Sequence, residues 1–219
     1  MGLRQIARQI RRKVAPRRGK PAVGSVAEVQ AVYDDVFSND AHFDILDESN
    51  SSKLPYVLEF TKSIDGTVLD AGSGRGSVLR YMLDNGIDAF GIELSKAACD
   101  MYLQGLPHVN ADIITWAEQG HTYPGLISTD VMEHIPPDQI DAVIAALAKL
   151  APRAFLGIAN HSSIHEGHEL HVIQKGHKWW LDLISKHFTN VKLIQPKPGD
   201  TVLEEHLRKD RFFFIEASR

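Results

Sequence analysis

The sequence predicts an α/β protein whose mostly parallel sheet is covered by helices on both faces. Three observations lead there. Short apolar or β-branched runs alternate with helical periodicity from residue 67 onward. A glycine loop, Gly72-Ser73-Gly74-Arg75-Gly76, follows the first of those runs directly. Acidic residues close four successive runs, at Asp70, Glu93, Asp112 and Asp130.

The expected strands are 67–71, 88–93, 109–114, 125–130, 153–159, 190–195 and 211–217. Helical spacing lies between them. Val78, Leu79, Met82 and Leu83 mark one face, closed by Gly86. Ile140, Val143, Ile144, Leu147 and Leu150 mark a second, stopped before Pro152, and Trp180, Leu183, Ile184 and Phe188 a third. Upstream, Val26 to Phe60 reads as mostly helical, with a polar break at Asp47–Lys53. The last two strands are joined through Pro196, Pro198, Gly199 and a polar stretch to Arg208. That link suits a hairpin-type return, which would set one antiparallel strand in the sheet.

Composition narrows the class. At 219 residues, 43% hydrophobic and 24% charged, the chain suits one ordinary globular domain. No apolar run reaches the roughly 20 residues of a membrane-spanning helix, so no such span is expected. Cys99 is the single cysteine, which excludes an internal disulfide and a cysteine-based zinc site. A reducing, cytoplasmic setting is the expectation.

The net charge of −4 hides an asymmetry. Residues 1–20 hold eight basic side chains and no acidic one, leaving 16 basic against 28 acidic in the rest. The reading is therefore a basic arm and linker over 1–21 and a separate acidic domain over 22–219. In the arm, Leu3, Ile6, Ile10 and Val14 fall at helical spacing among arginines. Such an amphipathic segment suits an anionic membrane surface, an assembly bound to it, an RNA, another protein, or a disordered tail. A nucleic-acid footprint is not expected on the acidic domain itself.

Gly72 and Gly74 allow positive φ and a close backbone approach to a ligand. The loop lacks the third glycine spacing of the dinucleotide fingerprint, because position 77 is Ser, and it has no Gly-Lys-Ser/Thr triplet. Asp70 would sit badly against a pyrophosphate and suits a cationic ligand. A carboxylate at Glu93 can accept both hydroxyls of a ribose, and Asp112 can accept an exocyclic adenine amine. A tight strand–helix turn and capping carboxylates are the plain structural alternatives.

Leu69-Asp70-Ala71-Gly72-Ser73-Gly74-Arg75-Gly76, Glu93, Ala111-Asp112-Ile113 and Asp130-Val131-Met132-Glu133-His134-Ile135 together resemble class I S-adenosylmethionine-dependent methyltransferases. The likeness covers roughly 50–219. It implies a Rossmann-like, seven-stranded sheet with its last strand antiparallel, and S-adenosyl-L-methionine as cofactor. It also implies cofactor contacts from Asp70, Ala71, Gly72, Ser73, Gly74, Glu93, Leu94, Asp112, Ile113, Asp130 and Val131.

Two candidates for acid–base chemistry stand out. His134 follows the fourth strand, and its alternative is packing under the cofactor. His171, in His171-Val172-Ile173 before Trp179-Trp180, resembles a segment of bacterial methyltransferases of polysaccharides and small molecules. A sugar or glycan hydroxyl is the acceptor this implies, with an N- or C-acceptor, or a non-catalytic cofactor-binding role, as the alternatives. Six histidines fall between 161 and 187, but His165 to His171 fails the His-Glu-x-x-His spacing in both registers. A polar substrate loop and no metal is the expectation there, with convergence of His161, His165 and His168 on a metal from a loop as the alternative. At least one of the two tryptophans is expected in the core.

Overall fold

The computed structural model describes residues 20–21, 26–38 and 47–219, with side chains over 26–38 and 52–219. The basic arm lies outside the described residues apart from its last two positions. In chain order the elements are β1 (Lys20–Pro21), α1 (Val26–Ser38), α2 (Asp47–Lys62), β2 (Val68–Ala71), α3 (Ser77–Asp84), β3 (Ala89–Glu93) and α4 (Lys96–Tyr102). There follow β4 (His108–Asn110), α5 (Ile113–Glu118), β5 (Gly125–Thr129), a 3₁₀ turn (Met132–His134), α6 (Ile140–Leu150) and β6 (Arg153–Ala159). The chain continues with β7 (Ile164–His165), β8 (His168–Glu169), α7 (His177–Ile184), β9 (Asn190–Leu193), α8 (Thr201–Arg208) and β10 (Phe212–Ser218).

Seven strands form the main sheet in the order β4-β3-β2-β5-β6-β10-β9. The first five run parallel, and β10 runs antiparallel to both β6 and β9. Strand order reverses between β2 and β5, so their carboxyl ends open the crevice where sheets of this kind bind ligands. A smaller sheet pairs β1 in parallel with β8, and β8 with β7.

Period-2 side-chain alternation explains the two core layers. Leu69, Leu126 and Phe213 enter one layer beside Ile144, Leu147 and Trp180, while Val68, Ile127 and Phe214 enter the other beside Val57, Leu79 and Phe155. Each such burial contributes about 1.5–3 kcal/mol, which makes β2, β5 and β6 the rigid frame of the site. A third cluster joins Val36 and Phe37 of α1 to Ala98 and Leu170. Asp34 fixes this helix on α4, its Oδ1 accepting from Ser95 Oγ at 2.6 Å and from the Ala97 N–H at 3.0 Å.

Three expectations need correction. The polar stretch Asp47–Lys53 is no break, because it begins the 16-residue α2. The strand expected over 109–114 ends at Asn110. Asp112 Oδ1 accepts the Thr115 N–H at 2.9 Å, so the side chain caps α5 and stops the strand. The polar stretch before Arg208 is helix α8, capped by Asp200, whose Oδ1 accepts from the Leu203 N–H at 2.9 Å. Leu203 is its one buried residue, too few to print a period on the sequence. Trp180 is fully buried, as expected for one of the pair, and Trp179 is 37% exposed.

Candidate active site

The glycine loop bridges β2 to α3. The N–H groups of Gly72 and Ser73 donate to the Ile92 carbonyl at 2.9 and 3.1 Å, tying the loop to β3. Gly72, Gly74 and Gly76 have φ of +88°, +52° and +75°. A Cβ on Gly72 would lie 2.5 Å from Val131 Cγ2, and one on Gly74 would meet the Phe37 ring at 3.4 Å. Packing therefore demands glycine at Gly72, while at Gly74 the positive φ favours it.

Glu93 ends β3 buried, its two oxygens accepting the N–H groups of Gly74 and Ser95, each at 2.7 Å. Burial raises its pKa, and the backbone donors pull it back. Asp70 is also buried, but its Oδ2 has no partner. Desolvation pushes this carboxyl up to about 7. Asp130 follows β5 with φ +55°, a left-handed conformation costly for a residue with a Cβ. It is ion-paired with the buried Lys53 of α2.

Beyond Asp130, Glu133 is fully buried, with Oε1 accepting from the Ala159 N–H at 2.9 Å and Oε2 unpartnered. Burial, then Asp130, hold its pKa well above the carboxylate range. His134 Nδ1 lies 3.1 Å from the Leu170 carbonyl and His171 Nδ1 lies 2.6 Å from the His161 carbonyl. A carbonyl only accepts, so both rings carry the Nδ1 proton and present Nε2 as a lone pair. Burial and neighbouring imidazoles push both pKa values down, that of His134 to about 3. The two rings meet edge-on at 4.6 Å between centroids, and Tyr33 of α1 meets His134 edge-on at 5.5 Å. Its buried hydroxyl has no hydrogen-bond partner.

Comparison with known proteins then gives the family. A sequence model described as a methyltransferase domain matches residues 6–197. The chain belongs to the methyltransferase-domain family. It is a class I S-adenosylmethionine-dependent enzyme. A SAM-dependent methyltransferase from Archaeoglobus fulgidus superposes with a TM-score of 0.61 at 16% identity, covering 78% of this chain and 94% of that one. The 1,6-didemethyltoxoflavin-N1-methyltransferase of Burkholderia thailandensis, solved with 1,6-didemethyltoxoflavin and S-adenosylhomocysteine, gives 0.59 at 17%, covering 90% and 91%. Magnesium protoporphyrin IX methyltransferase from Synechocystis PCC 6803, solved with S-adenosylhomocysteine, gives 0.53 at 17%, covering 99% and 94%. At these identities the likeness is one of fold. No curated protein matches the sequence.

The methyltransferase's residues fit its cofactor. The orphaned Asp70 Oδ2 suits a cationic ligand, and each Glu93 oxygen that accepts one N–H keeps acceptor capacity for a hydroxyl. Of the residues singled out from sequence, Ala71, Gly72, Ser73 and Gly74 gather with Asp70 and Glu93 around the crevice. Leu94 is held through its carbonyl by Asn110 Nδ2 at 2.8 Å, and Ile113 opens α5 beside the capping Asp112. Val131 packs on Gly72. His134 and His171 are brought together across 37 positions. His165 is drawn away to Asp35, 3.1 Å from its Oδ2.

Sequence reasoning missed Lys53, Tyr33 and Glu133. Lys53 and Tyr33 lie on helices whose packing alone brings them to the site, with no local signal. Glu133 stood inside a quoted motif and was legible only as its neighbour's companion. Among the described residues, Glu133, His134 and His171 also form a group able to hold a cation.

Proposed function

We propose that this methyltransferase transfers a methyl group to a hydroxyl oxygen of a small acceptor, a sugar or glycan hydroxyl. The observation that carries this reading is the pair of neutral imidazoles, His134 and His171, each with Nδ1 fixed on a carbonyl and Nε2 left as a base. A hydroxyl must lose its proton in such a transfer, whereas an amine need only be bound neutral. S-adenosylmethionine, when bound, supplies both the methyl group and its leaving group.

Asp70, Ala71, Gly72, Ser73, Gly74, Glu93, Leu94, Asp112, Ile113, Asp130 and Val131 would hold that cofactor. Asp70 supplies the anionic contact and Glu93 the hydroxyl acceptors. His171 Nε2 takes the acceptor proton, and His134 orients the same hydroxyl. Tyr33 and Phe37 of α1 cover the site and exclude water. Residues 22–219 form the catalytic domain, and the arm over 1–21 brings it to an anionic, cytoplasmic membrane face carrying lipid-linked acceptors. No helix among the described residues is long and apolar enough to cross a membrane.

A transfer screen with labelled cofactor against extracted glycans and lipid-linked sugars tests the reading. Label in hydroxyl groups, lost in His171→Ala with cofactor affinity retained, is the expected result. Label only in amines overturns it. Co-sedimentation with anionic vesicles, with and without residues 1–20, tests the arm, and equal sedimentation of both forms rejects the membrane contact.

A further inference from the structure

We propose that Glu133, His134 and His171 bind a divalent transition-metal ion whose open positions take oxygen atoms of the acceptor. One ligand atom from each of the three lies within 4.8 Å of the other two. Ligands bound at about 2.0–2.2 Å to one metal ion stand about 3–3.5 Å apart, so modest side-chain adjustment closes the site.

Three independent features point to a cation rather than to ordinary packing. Glu133 is fully buried, with Oε1 pinned by the Ala159 N–H and Oε2 partnerless. A buried carboxyl oxygen without a partner is costly, and a cation that displaced the proton would satisfy it. Each imidazole donates Nδ1–H to a backbone carbonyl, the outer-shell arrangement that fixes the tautomer and aims Nε2 at a metal. Lys53, the nearest buried cation, is already paired with Asp130, 36% of whose side chain is exposed, leaving Glu133 as the carboxylate of the set.

Two imidazoles and one carboxylate select among metals. Hard cations such as Mg²⁺ and Ca²⁺ prefer oxygen-only shells, whereas this set suits Mn²⁺, Fe²⁺, Co²⁺ or Zn²⁺. Three protein ligands leave at least one position open. The sequence concealed the site because two ligands are adjacent on a 3₁₀ turn and the third lies 37 residues on. The expectation from sequence weighed only the histidines of 161–171, without Glu133 and His134.

With an ion bound, His171 Nε2 is a ligand and no longer the base of the function proposed above. The ion would instead acidify the bound hydroxyl, whose proton would pass to solvent. The acceptor role rests on that reading, because it concerns oxygen atoms. The test is titration of the metal-stripped full-length chain with Co²⁺ and Zn²⁺, read by calorimetry and by the visible absorption of bound Co²⁺. One ion should bind per chain, raising the melting temperature. Glu133→Gln and His171→Ala should each weaken binding at least tenfold, and His187→Ala, paired with Asp141 elsewhere, should not.

Glu133→Gln keeps an oxygen for the Ala159 N–H, so it decides the matter if His171→Ala unfolds. Absence of saturable binding by the folded chain overturns the site, as does equal binding by Glu133→Gln. Metal that binds without changing acceptor affinity overturns the acceptor role and leaves hydroxyl methylation standing. Methylation confined to amines, with metal still bound, leaves the site standing and rejects the proposed function.

Discussion

Two buried glutamates lie along the same edge of the sheet and differ in what surrounds them. Glu93, after β3, has both oxygens taken by backbone N–H groups of its own and the adjacent loop. Glu133, after β5, has one oxygen satisfied and the other bare. The first is a structural acceptor that keeps capacity for a ligand. The second is incomplete without one. The crevice beside β3 thus has both oxygens of its buried carboxylate held by the backbone, and the crevice beside β5 only one.

The largest effect should come from removing the satisfied carboxylate. Glu93→Ala strands the Gly74 and Ser95 N–H groups and should cost roughly 2–4 kcal/mol by chemical denaturation. Cofactor affinity should fall with it, by more than tenfold. Unchanged stability would mean that water replaces the carboxylate, and the contrast with Glu133 would dissolve.

Gly72→Ala comes next, at about 1–3 kcal/mol from its left-handed backbone, with a further contribution from the clash with Val131. Val131→Ala in the same chain should restore the steric part and leave the backbone part. A double-mutant cycle measures the two separately. Zero coupling would show that the loop moves away from Val131 freely.

The third test is of Asp70. Its folded pKa of about 7 lies above its ordinary value of 3.8. The folded state therefore holds the proton longer, so this residue's contribution to stability declines as pH rises from about 4 to about 7 and is flat above. A cationic cofactor favours the ionised carboxylate, so affinity should tighten about tenfold between pH 6 and pH 8. Asp70→Asn should flatten both profiles. Calorimetry across that range gives the answer, and a pH-independent affinity in the wild type would remove Asp70 from the cofactor contact.

The smallest effect belongs to a peripheral contact. His165→Ala loses the pairing with Asp35, whose side chain is 63% exposed, and that pairing should account for less than about 1 kcal/mol. A large loss in thermal melts would make α1 a tightly clamped cover rather than a helix seated by Asp34 and its apolar face.

Much of this was legible in the chain. Strands near 68, 89, 125, 153, 190 and 212 announce themselves because β-branched and apolar runs are short, local and bounded by turns. The glycine loop and Glu93 are legible for the same reason, since strand, turn and helix start are contiguous. Helix α8 was hidden because one leucine anchors it, and α2 because its first turns are polar. The end of β4 was misplaced because Asp112 caps a helix where its neighbours favour a strand.

By itself, then, the sequence determined the α/β class, the order of most elements and the glycine loop with its flanking Asp70 and Glu93, all of which rest on interactions between near neighbours. Only the tertiary structure decided which side chains gather beyond Asp130. Lys53 reaches Asp130 across 77 positions, Tyr33 reaches His134 across about 100, and His171 reaches His134 across 37. No local period encodes those meetings. They exist because the sheet sets its strand ends side by side and the helices pack across them.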